Sequence, residues 1–223
     1  MNVLWNDIAG GTLTEAQLGQ LDAYLDALIE KNKQLNLTRI TDRAEAEIKH
    51  VADALTLLPF IDISLSKADP KNDHLGWNLA DVGTGGGIPG AILAIARPQV
   101  QVTLIDSTRK KLDAVRQMCD AVGVKNVRTL HARVETLDER FDWVVSRAVA
   151  DVRTLLEWCL PVMHAGTWFL ALKGPKAAHE VQEAQKLIKR HDLRAAIERL
   201  PYPGLEGHAI VIMMKDHRPK SER

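Results

Sequence analysis

From Leu79 to Gly90 the chain reads Leu-Ala-Asp-Val-Gly-Thr-Gly-Gly-Gly-Ile-Pro-Gly, a strand-like run that breaks into glycines and then opens a helix-like segment. Glycines here let the backbone turn with positive φ and let a ligand approach with no Cβ in the way. Pro89 suits the first turn of the following helix, where its missing N–H costs nothing. Three readings compete. Gly85-x-Gly87-x-x-Gly90 matches the dinucleotide fingerprint. Asp81-x-Gly83-x-Gly85-x-Gly87 fits a loop that holds S-adenosylmethionine. The third reading is a tight turn with no ligand.

The neighbouring acids narrow the choice. Asp106 closes the next strand-like run, where a carboxylate can accept both ribose hydroxyls of an adenosine. That favours a nucleoside cofactor without separating the two candidates. Asp81 ends the first strand, two residues before Gly83. A carboxylate there can face the cationic amino-acid end of S-adenosylmethionine, whereas it would repel a pyrophosphate. The methyl donor is favoured, and NAD stays as the alternative.

These residues need elements to hold them. Strand-like segments run over Trp77–Val82, Val100–Ile105, Asn126–Leu130, Phe141–Ser146, Thr167–Lys173, Leu193–Leu200 and His208–Lys215. Helix-like segments fall between most of them, at Pro89–Arg97, Thr108–Val122, Val152–Met163 and Lys176–His191. That alternation predicts parallel pairing with right-handed crossovers, closed by an antiparallel hairpin through Pro201-Tyr202-Pro203-Gly204. Upstream, Leu18, Leu21, Leu25, Leu28, Ile29 and Leu35 recur at helical spacing after a Thr14/Gln17 capping box. A second helix is predicted from about Arg43 to Leu58, with Asp42 as N-cap. The chain thus divides into a helical cap (1–62), a polar linker (63–76), a ligand-binding α/β domain (77–216) and a charged tail (217–223).

Composition excludes several classes. The 223 residues carry no net charge, so a protein that merely coats nucleic acid is not expected, although an enzyme meeting RNA across one face is. Only Cys119 and Cys159 are present, each in helix-like sequence, which points to core thiols in a reducing cytoplasm. The first residues lack a basic-then-apolar pattern, so no signal peptide is expected. The longest apolar runs, such as Ala91–Ala96, are too short to span a bilayer.

Beyond the glycine block, the chain carries Asn36-Leu37-Thr38, His50-x-x-Asp53, Asp106-Ser107, Arg133-Val134-Glu135, Ser146-Arg147-Ala148 and Ala171-Leu172-Lys173-Gly174. With these motifs it resembles the bacterial methyltransferases that modify N7 of a guanine in 16S ribosomal RNA, the glucose-inhibited division protein B family. The similarity runs from about Asn32 to Lys215. It implies an α/β fold of the Rossmann-like class I methyltransferase type: a seven-stranded, mostly parallel sheet with helices on both faces and an N-terminal helical cap. It also implies S-adenosylmethionine as cofactor and 16S ribosomal RNA or the small subunit as partner; no metal is expected, and the chain is expected to be a monomer. By the same resemblance Gly83 and Ile88 would line the cofactor, Val134 and Glu135 would flank the adenine, and Arg147 would lie near the cofactor. Two departures stand out: Lys31 occupies a position often held by Trp, and Lys49 and Ala54 replace Arg and Ser around His50 and Asp53.

The implied chemistry is an in-line displacement in which the enzyme mainly positions donor and acceptor. A guanine N7 carries a free lone pair, so no general base is expected. In keeping with such an acceptor, the chain has no Asn/Asp-Pro-Pro-aromatic tetrapeptide and no Pro-Cys pair. Because N7 faces the deep, narrow major groove of A-form RNA, the target base should lie in a loop or be turned out. His50 and Asp53 share a helix face and could border the substrate or simply anchor the cap. Asn36 and Thr38 could touch substrate, although a helix-ending turn calls for such residues in any case. Lys173 could meet phosphate or be solvated; the basic segment Lys176–Arg194 reads as a solvated face; Trp77, Trp143, Trp158 and Trp168 are assigned to the core.

Overall fold

In the computed structural model, which describes residues 2–66 and 77–215, strand β1 (Trp77–Val82) lies inside the sheet, with a neighbour on each side. Its last four residues, apolar except for Asp81, are all buried, as in a parallel strand packed on both sides. Strands β2 (Val100–Asp106), β3 (Val127–His131), β4 (Phe141–Arg147), β5 (Met163–Lys173), β6 (Leu193–Arg199) and β7 (Ala209–Lys215) complete a seven-stranded sheet in the order β3-β2-β1-β4-β5-β7-β6. The first five run parallel, and β7 inserts antiparallel between β5 and β6. The order in which strands are added reverses between β1 and β4, with β2 and β3 laid down on one side and β4 and β5 on the other, so a crevice opens at the carboxyl ends of β1 and β4, where ligands bind in such sheets.

Helices α6 (Gly90–Ala96) and α7 (Arg109–Ala121) cover one face; α8 (Val152–Cys159), α9 (Ala177–Glu183) and α10 (Gln185–Arg190) cover the other. The strand and helix assignments made from pattern agree with these bounds to within a few residues. Pro89 is the N-cap of α6 instead of its first residue, and the Ile88–Pro89 bond is cis.

The N-terminal segment contributes α1 (Asn2–Ile8), α2 (Glu15–Leu35), α3 (Arg43–Ala46), α4 (Asp53–Leu55) and α5 (Leu58–Ser66). The Thr14/Gln17 capping box is present, and Asn36 ends α2 in the left-handed conformation at φ 48°. Asp42 caps α3 by accepting from the Glu45 N–H at 2.8 Å. Between α3 and α4 the single helix predicted over 43–58 widens into a π-helical stretch, Glu47–Ala52. Such bulges often mark functional sites, and this one carries His50.

One expectation is corrected, and the packing of the cap adds a finding. The segment 63–76 does not begin as a linker, since α5 continues through Ser66; its remainder, 67–76, and the tail 217–223 lie outside the described residues. The cap has no core of its own. Trp5, Leu21, Tyr24, Leu25 and Leu28 belong to the same buried cluster as Ile92, Leu104 and Val115. The Trp5 indole N–H donates to the Glu47 carbonyl at 3.1 Å, and Gln17 donates to the Ile95 and Ala96 carbonyls that end α6. Cys119 and Cys159 are buried, free thiols, and burial raises the pKa of both, to about 12 for Cys119.

Candidate active site

The glycine loop is braced from beneath. Asp81 is fully buried, and its Oδ2 accepts the Thr84 hydroxyl at 2.6 Å and the Gly90 N–H at 2.9 Å. Its Oδ1 has no partner. Burial pushes the carboxyl up from 3.8 to about 6, while the bonds from Thr84 and Gly90 pull the other way. The Gly87 and Ile88 N–H groups both donate to the Thr84 carbonyl, and the Ala91 N–H donates to the Gly87 carbonyl. The entrance to α6 therefore has its amides engaged inside the protein, with Pro89 contributing none.

Glycine is required on both sides of this loop. Gly83 has φ 72°, and a Cβ there would fall 2.4 Å from Val149 Cγ2. Gly87 has φ 83°, and its Cβ would fall 2.0 Å from the Tyr24 hydroxyl. The loop is thus clamped between the cap helix α2 and the segment after β4, a packing role beside any approach to a ligand.

Above the loop lies an open cavity of about 1710 Å³, larger than a single small-ligand pocket. One end carries Gly83, Gly85, Ile88 and Asp106, with Val134 and Glu135 from a single 3₁₀ turn, Val134–Thr136. Asp106 accepts the Gly85 N–H through Oδ2 at 3.1 Å and the Thr108 N–H through Oδ1 at 2.8 Å. Each oxygen keeps acceptor capacity for a ligand in the cavity.

The other end is built by β4, the π-helical stretch and the turn after α2. The Arg147 guanidinium donates through Nη1 to the Lys49 carbonyl at 2.5 Å and to His50 Nδ1 at 2.9 Å. His50 Nε2 stands 2.9 Å from Thr38 Oγ1. Burial, reinforced by the Arg147 charge, drives the His50 pKa down to about 3, so the ring is neutral. Asp53 faces His208, the residue just before β7, Oδ1 to Nδ1 3.3 Å, and this pairing raises the His208 pKa. Ala148, next to Arg147, adopts φ 55°, an uncommon left-handed turn for a residue with a Cβ.

The structure gathers Gly83, Gly85, Ile88, Asp106, Val134, Glu135, Arg147, His50, Asp53 and Lys173 onto one cavity wall. Asp81 is the exception. A carboxylate facing a cationic ligand was expected, but Asp81 lies behind the loop and is not part of the wall. Lys173 departs from both of its expectations: its side chain is 7% exposed and donates to Glu180 at 2.9 Å and to the Ala150 carbonyl. Trp158, assigned to the core, lines the cavity, and Trp77 and Trp168 are half-buried. Tyr24 and His208 were not singled out by sequence. Tyr24 carried only a helical-face signal, and His208 meets Asp53 across 155 residues, beyond any motif spacing. Among the described residues no cluster of His, Cys, Asp or Glu could hold a metal, and no helix is long and apolar enough to cross a membrane.

Comparison with known proteins places the chain in a family. The model of the family described as rRNA small subunit methyltransferase G matches residues 17–198. The ribosomal RNA small subunit methyltransferase G of Pelotomaculum thermopropionicum is 38% identical over 222 residues, 95% of this chain and 88% of that protein. Its namesake in Lactobacillus johnsonii is 39% identical over 186 residues, 80% of this chain and 74% of that protein. Among solved structures, the O-methyltransferase from Bacillus cereus in complex with SAH superposes with a TM-score of 0.56 at 15% identity, over 86% of this chain and 90% of that one. This likeness is one of fold. The chain belongs to the rRNA small subunit methyltransferase G family.

Proposed function

We propose that this protein transfers the methyl group of S-adenosylmethionine to N7 of a guanine in small-subunit (16S) ribosomal RNA, working in the cytoplasm as a monomer. The observation that carries the choice of cofactor is the entrance to α6. A pyrophosphate needs free N–H groups at a helix N-terminus, and here those of Gly87, Ile88, Gly90 and Ala91 are engaged by Thr84, Asp81 and Gly87. The wall instead offers acceptors, which suit ribose hydroxyls and an amino group.

Asp106 would take the ribose hydroxyls, Val134 and Glu135 would flank the adenine, and Gly83, Gly85 and Ile88 would line the body of the cofactor. Among the described residues Arg147 is engaged through Nη1 alone, by Lys49 and His50, which leaves its Nε and Nη2 donors for a ligand. Bound S-adenosylmethionine supplies an electrophilic methyl group. The chain's own residues hold the acceptor in line, and no side chain has to remove a proton, since N7 presents a lone pair. Lys33, Arg39, Lys49, Lys111 and Arg133 lie along the cavity lining and suit a phosphate backbone. Two free core thiols fit a reducing compartment.

The test compares small-subunit RNA from cells with and without the gene by chemical cleavage at 7-methylguanine. The expected result is one cleavage site lost on deletion and restored by the wild-type gene. An unchanged pattern would overturn the proposal.

A further inference from the structure

A chain of hydrogen bonds at the acceptor end fixes the direction of one proton. Guanidinium nitrogens only donate, so His50 Nδ1, at 2.9 Å from Arg147 Nη1, must accept. The neutral ring then carries its hydrogen on Nε2 and donates it to Thr38 Oγ1 at 2.9 Å. The Ile40 N–H donates to the same oxygen at 3.1 Å. A hydroxyl has two acceptor lone pairs and a single proton. Both lone pairs of Thr38 are filled from the protein side, so its O–H is left as an obligatory donor. Among the described residues no further partner takes that proton, and Thr38 lines the cavity.

This polarity matters for the choice of base. The edge of guanine that carries N7 presents a second acceptor, O6; the same edge of adenine presents N7 beside an amino donor. A donor that cannot reverse its direction rewards the first and opposes the second. Thr38 cannot turn into an acceptor without breaking the bond from His50 or from Ile40. We infer that Thr38 is the specificity-determining residue for the acceptor base: its hydroxyl donates to the O6 carbonyl next to the methylated nitrogen, and this selects guanine over adenine. The inference rests on the proposed N7 activity and adds to it the residue that reads the base.

Arg147 and His50 act here as positioning residues. The neutral state of His50 keeps the relay in one tautomer, because a second proton on the ring would face the Arg147 donor. Sites built to hydrogen-bond a substrate group reject analogues that lack it, since the protein's polar group is then left unpaired.

The test is a double-mutant cycle on the full chain. Wild type, Thr38→Val and Thr38→Ser are assayed for methyl transfer to reconstituted small subunits whose target position holds guanine or 2-aminopurine, a base that keeps N7 and lacks O6. Calorimetry gives the affinity for S-adenosylmethionine. The inference expects kcat/KM on guanine to fall about tenfold in Thr38→Val, with cofactor affinity unchanged and Thr38→Ser close to wild type. It further expects wild type to lose a similar factor on 2-aminopurine, and Thr38→Val to lose nothing more on that base. A merely structural role for Thr38 would make the two losses multiply, and that result overturns the inference, as does a loss confined to cofactor affinity. If Thr38→Val fails to fold, Thr38→Ala takes its place in the same cycle. Absence of transfer by wild type to the guanine substrate would sink the proposed function itself; an active wild type with multiplying losses sinks only the role of Thr38.

Discussion

The hydroxyl of Tyr24, in the middle of the cap helix, donates to the carbonyl of Gly86 in the glycine loop at 2.9 Å. This bond joins positions 62 residues apart and passes through the buried interface where α2 meets the sheet domain. The cap thereby holds the glycine loop in place, and the same contact explains why position 87 cannot carry a side chain.

Replacing Tyr24 by Phe leaves the Gly86 carbonyl buried without its partner, at a cost of about 1–3 kcal/mol. With a few degrees of melting temperature per kcal/mol for a chain of this size, calorimetry should read a fall of roughly 2–10 °C. Gly87→Ala should cost more, because its Cβ would fall 2.0 Å from that hydroxyl at φ 83°. A Gly87→Ala variant as stable as wild type would contradict the clamp.

Asp81 should make the ligand-free protein less stable as pH rises from about 4 to 6. Its folded pKa is raised from 3.8 to about 6 by burial, so between those values the folded state binds more protons than the unfolded state, and ionisation works against folding. The contribution is on the order of 2 kcal/mol. In Asp81→Asn, which still offers an oxygen to Thr84 and Gly90, this slope should vanish. Denaturant midpoints measured at pH 4, 5 and 6 for both proteins give the comparison.

His50 should act with the opposite sign. Its folded pKa is lowered to about 3, so below the ordinary value of 6.5 the unfolded chain takes up a proton that the folded ring refuses. Stability contributed by the neutral ring is present above about 6.5 and is lost on acidification, by roughly 2 kcal/mol at pH 5. His50→Gln can accept from Arg147 and donate to Thr38 without titrating, and should flatten the acid-side loss. An NMR titration of the His50 ring that shows protonation between pH 5 and 8 would refute the assignment.

Lys173 should prove to be a structural cation. It pairs with Glu180 at 2.9 Å, and Glu180 also accepts the Val152 N–H at 3.0 Å. Lys173→Met strands a largely buried carboxylate, with an expected loss of about 2–4 kcal/mol. The dependence of RNA affinity on salt should keep its slope, because no phosphate contact is removed. A slope reduced by about one would show that Lys173 meets phosphate after all.

Much of this architecture can be read from residue order. Phe141–Ser146 stands out as a strand by its apolar run, and the observed β4 exceeds it only by Arg147. Thr14 and Gln17 announce the start of α2 through a purely local rule. The site is less legible, for physical reasons. A carboxylate at a strand end reads the same whether it points into the cavity or behind the loop, so the alternation that found Asp81 could not orient it. The π-helical stretch at Glu47–Ala52 keeps a helical composition while shifting which residues face inward, and a 3.6-residue period does not register that. Trp158 looks like a core residue by type, yet it lies where α8 borders the cavity. The pairing of His208 with Asp53, like the docking of Tyr24, is a product of sheet order and has no signature within a local window.

The shared core of cap and sheet has a mechanical consequence. Swinging the N-terminal helices away like a jaw would pull Trp5, Leu21 and Leu25 into water together with the apolar side chains they cover, so this route of entry is closed by the same contacts that keep the chain folded. With that route closed, the bending that brings a target base to the cavity falls to the nucleic acid, which places the choice among many identical bases in the shape of the RNA around the target.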